Sequence, residues 1–231
     1  MTDSTVELKS QLCLNGKYII QHTLGVGGFG ITYVAYDMEA KRNCAVKELF
    51  PQGIVTRTMD GMNVAVVSTD KQETFEHSKE RFLEEAEILQ SLNPVKEVVS
   101  VYDFFMENGT CYFVMEYLEG ENLIQSIAAG RKFGRKGILK MGREIASGLQ
   151  YLHESCGMVY RDLKPANLIF CKNGRVKLID AGCICKLGER KSLAGSPGFA
   201  APEQLLAGVE ADAESDVYGL AKTLESLLGD C

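Results

Sequence analysis

The chain has 231 residues, of which 45% are hydrophobic and 24% charged, with a formal net charge of -6 at pH 7. That length suffices for one large domain or two small lobes, and the negative charge argues against non-specific binding to nucleic acid or anionic membranes as the main role. No stretch reaches the roughly eighteen apolar residues of a membrane helix, and residues 1–9 lack the apolar core of a signal peptide. The chain is therefore predicted to be cytoplasmic, with an anchor beyond Cys231 left open.

A glycine-rich bend lies between two predicted strands near the start of the chain. The first strand, Tyr18–Leu24, follows an Asn15-Gly16 turn, which is typical of a hairpin. The bend, residues 25–30, is followed by strand-forming residues at 31–35. P-loops and Rossmann loops open a helix instead, so this bend, which joins two strands, matches neither of those motifs.

The next hundred residues alternate between strands and one helix. A strand at Cys44–Lys47 ends in a lysine, and the Asp60-Gly61 turn predicts a second hairpin. The remaining elements predicted here are a helix at Lys79–Leu92, strands at Val98–Met106 and Thr110–Met115, and a linker at Glu116–Gly120.

Beyond the linker the apolar pattern is helical. One long core-facing helix is predicted from apolar residues repeating at three and four positions: Ile138, Met141, Ile145, Leu149 and Leu152. Near the end, Ser215 is predicted to cap a helix that buries Val217, Leu220, Leu224 and Leu227.

The stretch Tyr160–Asn167 contains several residue types that are typical of catalytic sites. Asp162, Lys164 and Asn167 lie in one loop between apolar segments, and a second acid, Asp180, follows the next predicted strand. Two carboxylates and a carboxamide converging from adjacent turns can hold a magnesium ion and orient a hydroxyl. This arrangement predicts phosphoryl transfer.

Taken in order, these motifs resemble a eukaryotic-type serine/threonine protein kinase domain of bacterial style. The resemblance runs from about Tyr18 to Leu228 and includes Ala201-Pro202-Glu203 near its end. It implies an α+β, bilobal fold with an antiparallel β-rich N-lobe at residues 1–115, a hinge at 116–120, and a mainly helical, incomplete C-lobe at 121–231.

The resemblance also implies a nucleotide site. Lys47 would grip the phosphates of ATP and pair with a glutamate of the following helix; Glu85 fits the family spacing better than Glu84 or Glu87. Met115 would be the gatekeeper. The residues implied to contact ATP are Leu24, Gly25, Gly27, Gly28, Gly30, Thr32, Ala45, Lys47, Glu85, Met115, Glu116, Leu118 and Ile169.

The same resemblance assigns catalytic roles. Asp162 would accept the proton of the substrate hydroxyl, and Lys164, typical of serine/threonine kinases, would neutralise the transferred phosphate. Asn167 and Asp180 would hold Mg²⁺, the second cofactor beside ATP. Asp216 resembles the buried aspartate that supports the catalytic loop. Protein substrates are the implied partners.

Two positions depart from the family pattern. Tyr160 replaces the usual His, and Ala181 replaces the usual Phe between Asp180 and Gly182. The alanine predicts a phenyl-sized gap that either Tyr160 or an apolar side chain from residues 82–89 fills.

The segment after Asp180 raises three further expectations. Ser192 and Ser196 are candidate phosphosites, and Arg161 could pair with a phosphate there. Cys183 and Cys185 form the one cysteine cluster with a potential redox role, although small buried thiols in a reducing compartment are the simpler interpretation. The chain ends after the central C-lobe helix, so Leu224, Leu227 and Leu228 are predicted to lie partly uncovered, which would favour self-association.

The leading hypothesis is an ATP- and magnesium-dependent serine/threonine protein kinase acting on proteins. The alternative is a pseudokinase, a nucleotide-binding scaffold with little transfer, which Ala181 favours and the retained Lys47, Asp162, Asn167 and Asp180 oppose. A kinase acting on a small molecule is a third hypothesis.

Overall fold

The computed structural model describes residues 6–92, 95–190, 195–206 and 208–228. The chain divides into two compact units, one formed by residues up to Ser91 with Ser100–Tyr117, and one formed by Leu92–Val99 with the residues from Leu118 onward. The crossing after Tyr117 lies within the predicted linker. Residues 92–99, which the prediction places in the N-lobe, group with the second unit, where this segment is hydrogen-bonded through Glu97 and Val99 to Leu178, at 2.8 Å each.

The first unit is built on a six-stranded antiparallel sheet with the order β1-β2-β3-β4-β8-β7. The Asn15-Gly16 hairpin is confirmed by the pairing of β1 with β2. The strands of this sheet are β1 (Cys13–Leu14), β2 (Tyr18–Val26), β3 (Gly30–Asp37), β4 (Arg42–Leu49), β7 (Val101–Glu107) and β8 (Thr110–Glu116).

Between β4 and β7 the chain forms a hairpin and a helix. Strands β5 (Val55–Arg57) and β6 (Val64–Val66) pair around the predicted Asp60-Gly61 turn. Helix α1 (Gln72–Ser91) packs against β7 and β8 and begins well before the predicted Lys79. The early turns were missed because they are polar apart from Phe75, which is buried.

The second unit combines short sheets with two long helices. Strand β11 pairs with β9 and β12, and β10 pairs with β13. The sequence did not predict α2, although Asn122 and Gln125 form a capping box at its start. The elements are β9 (Gly120–Asn122), α2 (Leu123–Ala128), α3 (Arg135–Cys156), β10 (Met158–Val159), β11 (Leu168–Cys171), β12 (Val176–Leu178), β13 (Cys185–Lys186) and α4 (Ala213–Leu228).

The predicted core face of α3 is confirmed, whereas that of α4 is confirmed at Leu227 and wrong at Val217. In α3 the five predicted apolar residues are all buried. In α4 the buried stripe is Ser215, Asp216, Gly219, Thr223 and Leu227, whereas Val217 is 61% exposed. The small residues face inward because Gly219 lies against Leu163, where a Cβ would come within 3.2 Å of the Leu163 Cβ.

The start and end of α4 also differ from the prediction. The helix begins at Ala213, and the cap is Asp212, whose Oδ1 accepts the N–H of Ser215 at 3.0 Å. Leu227, predicted to lie partly uncovered, is 6% exposed, whereas Leu228 is 50% exposed.

Two observations bear on the compartment and redox expectations. Among the residues the structure describes, no helix has both the length and the apolar character needed to cross a membrane. Of the seven described cysteines, four are buried: Cys44, Cys111, Cys171 and Cys185.

Candidate active site

One ion pair of the first unit joins β4 to α1. Lys47 Nζ lies 2.9 Å from Glu85 Oε1, so Glu85, rather than Glu84 or Glu87, is the glutamate bonded to this lysine. The ring centroids of Phe82 and Phe113 lie 5.7 and 5.1 Å from the ammonium group. The side chains of the pair are 22% and 10% exposed. The lysine is thus held in place by a largely desolvated carboxylate and two aromatic rings.

The glycine-rich bend connects β2 to β3 in the same sheet. Gly25 pairs with Thr32 across the two strands, and Thr32 pairs in turn with Lys47 on β4. The Gly27 N–H donates to the Gly30 carbonyl at 2.8 Å and closes the bend. Within the described residues, the N–H groups of Gly28 and Phe29 have no hydrogen-bond partner. The bend therefore carries unpaired backbone donors, and it leads into the strand that pairs with the lysine strand.

The residues expected around an adenine ring lie in both units. In the first unit Ala45 and Met115, both buried, are cross-strand neighbours, and Leu24 on β2 is 45% exposed. The Glu116 N–H donates to Ser100 O at 2.8 Å, so a contact of Glu116 with a base edge would use its carbonyl. In the second unit Ile169 lies on β11, and the Leu118 N–H has no partner among the described residues.

The loop at residues 160–167 is fixed from below by Asp216 of α4. This carboxylate is fully buried and accepts the N–H of Tyr160 and of Arg161, each at 2.7 Å. Its Oδ2 also lies 2.8 Å from His153 Nε2. Arg161 has φ 68, a left-handed conformation that is costly for an arginine. The charged acceptor compensates for that cost and sets the direction in which Asp162 leaves the loop.

Three polar side chains meet at the carboxylate of Asp162. Lys164 Nζ donates to Asp162 Oδ2 at 2.6 Å, and Asn167 Nδ2 donates to the same oxygen at 3.2 Å. Ser196 Oγ donates to Asp162 Oδ1 at 2.8 Å and accepts from Lys164 Nζ at 2.6 Å. The structure thus holds an aliphatic hydroxyl between a carboxylate and an ammonium group. Such a pair can take a proton from a hydroxyl and stabilise negative charge beside it.

The hairpin of β11 and β12 places Asn167 next to the segment that carries Asp180. Leu168 pairs with Leu178, and the Ile179 N–H donates to the Asn167 carbonyl at 3.1 Å. Asn167 Nδ2 also donates to Asp162 O at 2.9 Å, so its Oδ1 is the atom that remains for a cation. One oxygen of Asp180 accepts the Gly182 N–H at 2.9 Å. The two residues supply carboxamide and carboxylate oxygens, the ligands that Mg²⁺ prefers.

Comparison with known proteins agrees with this geometry. A profile of the protein kinase domain matches residues 18–230. The chain belongs to the protein kinase family. It is 32% identical over 226 residues to a probable serine/threonine-protein kinase of Streptomyces coelicolor, which covers 93% of the chain. It is 32% identical to serine/threonine-protein kinase B of Synechocystis, which covers 95%, and 30% identical to the serine/threonine-protein kinase PrkC of Bacillus subtilis, which covers 93%.

A solved kinase structure shares the fold. The apo form of PpkA-294 is 26% identical and superimposes with a TM-score of 0.85 over 97% of this chain and 79% of that one. The protein-kinase fold predicted from the sequence is thereby confirmed. The chain spans 30%, 38% and 31% of the lengths of the three bacterial kinases above.

Two positions at which this kinase departs from the family pattern are buried. Tyr160 and Ala181 are each 2% exposed. Within the described residues the Tyr160 hydroxyl has no hydrogen-bond partner. Burial, reinforced by the carboxylates of Asp180 and Asp162, holds the pKa of this phenol well above its usual range. Tyr160 is thus an uncharged aromatic side chain among acidic groups, and its filling of the space beside Ala181 stays a prediction.

The variant Ala181→Phe tests that prediction. If Tyr160 fills the space, a second ring overpacks the site and lowers the free energy of unfolding by about 1–3 kcal/mol. Denaturant unfolding measures the change, with Ala129→Phe at an exposed position as the control. A neutral or stabilising Ala181→Phe would mean that the site is open.

The two candidate phosphosites of this kinase have different surroundings. Ser192 lies outside the described residues. The Ser196 hydroxyl is engaged by Asp162 and Lys164, so a phosphate there would stand against the Asp162 carboxylate. The side chain of Arg161 is largely buried and lines a cavity whose wall carries the carboxylates of Glu203, Glu210 and Asp212.

The Cys183 thiol of this kinase is predicted to react slowly with alkylating agents at pH 7.5. Burial raises its pKa, and the carboxylates of Asp162 and Asp180 add to the effect, so little reactive thiolate forms. Mass spectrometry after brief iodoacetamide treatment should find exposed Cys13 labelled first. Labelling of Cys183 ahead of Cys13 would contradict this prediction and revive the redox hypothesis.

Proposed function

We propose that this protein transfers the γ-phosphate of ATP to serine or threonine hydroxyls of protein substrates. The observation that carries the proposal is the Ser196 hydroxyl, which donates to Asp162 Oδ1 and accepts from Lys164 Nζ. An acceptor hydroxyl making the same two contacts would be oriented for attack. The names of the related bacterial kinases support the same acceptor class.

The catalytic step assigns a role to each group of the loop. The acceptor oxygen forms a bond to the γ-phosphorus, the bond from that phosphorus to the β–γ bridging oxygen breaks, and ADP leaves. Asp162 takes the hydroxyl proton as attack proceeds. Lys164 stabilises the charge on the transferred group. Asn167 fixes the Asp162 carboxylate by donating to its Oδ2.

The first unit would bind the phosphates of the nucleotide. Lys47, oriented by Glu85, supplies a positive charge, and the N–H groups of Gly28 and Phe29 supply backbone donors. Glycine at the bend lets the backbone approach the phosphates without a side chain between them.

Protein kinases work with ATP and Mg²⁺, and the donor set of the second unit fits that ion. Asn167 Oδ1 and the Asp180 carboxylate would hold it, because the other amide atom of Asn167 is committed to Asp162 O. A bound ion there would neutralise phosphate charge. Asn167 also holds Asp162 in place, through bonds to its main-chain oxygen and to its Oδ2.

A transfer assay tests the proposal. The protein is incubated with γ-labelled ATP, magnesium and a generic basic protein, beside Asp162→Asn and the control Asp70→Asn, an exposed position of the first unit. Transfer to serine and threonine by the parent and the control, with a loss of about 10²–10⁴-fold in Asp162→Asn, is expected. Phosphoamino-acid analysis identifies the acceptor.

The pseudokinase alternative predicts a different result. ATP would raise the melting temperature of the parent without any transfer, and Asp162→Asn would behave like the parent. That outcome would overturn the proposed catalytic function and leave nucleotide binding.

A further inference from the structure

The segment that follows β4 donates hydrogen bonds to the carbonyl groups of the glycine-rich bend. The Phe50 N–H donates to Phe29 O at 3.1 Å, and the Gln52 N–H donates to Gly28 O at 2.9 Å. The Gln52 side chain adds a third bond, from Nε2 to Gly27 O at 3.2 Å. Three consecutive carbonyls of the bend are therefore bonded to residues 50–52.

These bonds determine what the bend can offer a ligand. A carbonyl oxygen repels a phosphate, whereas an N–H group attracts it. The three carbonyls are occupied, while the N–H groups of Gly28 and Phe29 have no partner within the described residues. A glycine-rich bend is otherwise conformationally free. Fixing its carbonyls preorganises the donors and lowers the entropic cost of binding an anion.

The holding segment is itself anchored in the unit. Arg57, a few residues on, donates to both oxygens of Glu48 at 2.7 and 2.6 Å, and the two side chains are 3% and 0% exposed. Glu48 also accepts the hydroxyls of Tyr33 and Tyr112. Residues 49–56 are thus fixed at one end by β4 and at the other by a buried ion pair.

At the end of the bend, the backbone of Gly30 lies against the backbone of Glu48. A Cβ at Gly30 would overlap the Glu48 carbonyl oxygen. The close approach of the two backbones explains why the bend reaches residues 50–52 at all.

We propose that Gln52 is a positioning residue for the phosphate-binding bend, acting through its side-chain bond to the Gly27 carbonyl. Its ligand class, a nucleoside triphosphate, rests on the proposed function. Gln52 is exposed, so its replacement leaves the core intact, and its main-chain bond to Gly28 persists in any variant that keeps the N–H.

The variant Gln52→Met tests this proposal, because methionine has a similar length but donates no hydrogen bond. We expect a two- to tenfold rise in KM for ATP, which corresponds to the loss of about one hydrogen bond. The value of kcat should change less than about twofold, because the interaction stabilises the ground state and the transition state equally. Amide hydrogen exchange over residues 24–30 should be faster in the ligand-free variant. Gln52→Lys, which keeps a donor, should restore slow exchange.

The matched control is Gln21→Met. Gln21 lies in the same sheet and donates from Nε2 to Asn43 Oδ1 at the same distance, 3.2 Å, so KM and exchange should not change. Gln52→Met with unchanged exchange, or with faster exchange and an unchanged KM, would overturn the proposal. Because exchange is measured without nucleotide, it is informative even if the parent transfers no phosphate. In that case the change in ATP-induced melting temperature replaces KM.

Discussion

Asp216→Asn is expected to lower transfer by about 10²-fold and the free energy of unfolding by about 2–4 kcal/mol. The fully buried carboxylate accepts two backbone N–H groups, from Tyr160 and Arg161. An amide at this position accepts one of them and turns its own NH₂ group against the other, which leaves a buried donor unsatisfied. Asp162 is then displaced, and a shift of about 1 Å in a reacting group costs about 10²-fold in rate.

Steady-state transfer and denaturant unfolding measure the two effects. Glu214→Gln, on an exposed position of the same helix, serves as the control and should match the parent in both. Asp216→Asn with parental activity would show that the catalytic loop does not depend on α4 for its shape.

Arg57→Met should lower the free energy of unfolding by about 3–5 kcal/mol, because it leaves the Glu48 carboxylate buried and without its charged partner. The two tyrosine hydroxyls remain bonded to Glu48 but carry no positive charge. The unfolding midpoint at constant denaturant slope measures the loss.

Two further variants distinguish the stability lost by breaking the buried ion pair from the stability lost by removing any positive charge. Adding Glu48→Gln to Arg57→Met should recover part of the stability, since the uncompensated charge is removed. Arg190→Met breaks an exposed ion pair with Glu210, whose side chains are 71% and 58% exposed, and should cost less than about 1 kcal/mol. Equal losses from Arg57→Met and Arg190→Met would refute the buried-pair account.

Local sequence patterns were sufficient to predict those features that depend on residues close together in the chain. The core face of α3 followed from its apolar spacing, and the Asp60-Gly61 hairpin followed from its turn residues. Glu85 could be preferred as the partner of Lys47 because its spacing matches that of the family the chain resembles, and the structure shows this pair. For the helix face and the hairpin, a short-range rule determined the outcome.

The features that the sequence did not predict depend on tertiary contacts. The inner face of α4 is small and polar because Gly219 must lie against Leu163 and Asp216 must reach the loop at residues 160–167. Hydrophobicity alone therefore selected Val217 wrongly. The bonds from residues 50–52 to the glycine bend, and the Glu48–Arg57 pair, join residues whose proximity depends on sheet register. In the sequence, Glu48 is visible only as an acid directly after the strand lysine, and nothing there identifies Arg57 as its partner.

Phosphoryl transfer by Asp162 and its neighbours is measured by the single-turnover rate at saturating ATP and magnesium. We expect Asp162→Asn to transfer the γ-phosphate to a serine-containing substrate about 10²–10⁴-fold more slowly than the parent while binding ATP with the same dissociation constant. Equal single-turnover rates for the two proteins, or a parent rate no faster than transfer without enzyme, would contradict this prediction.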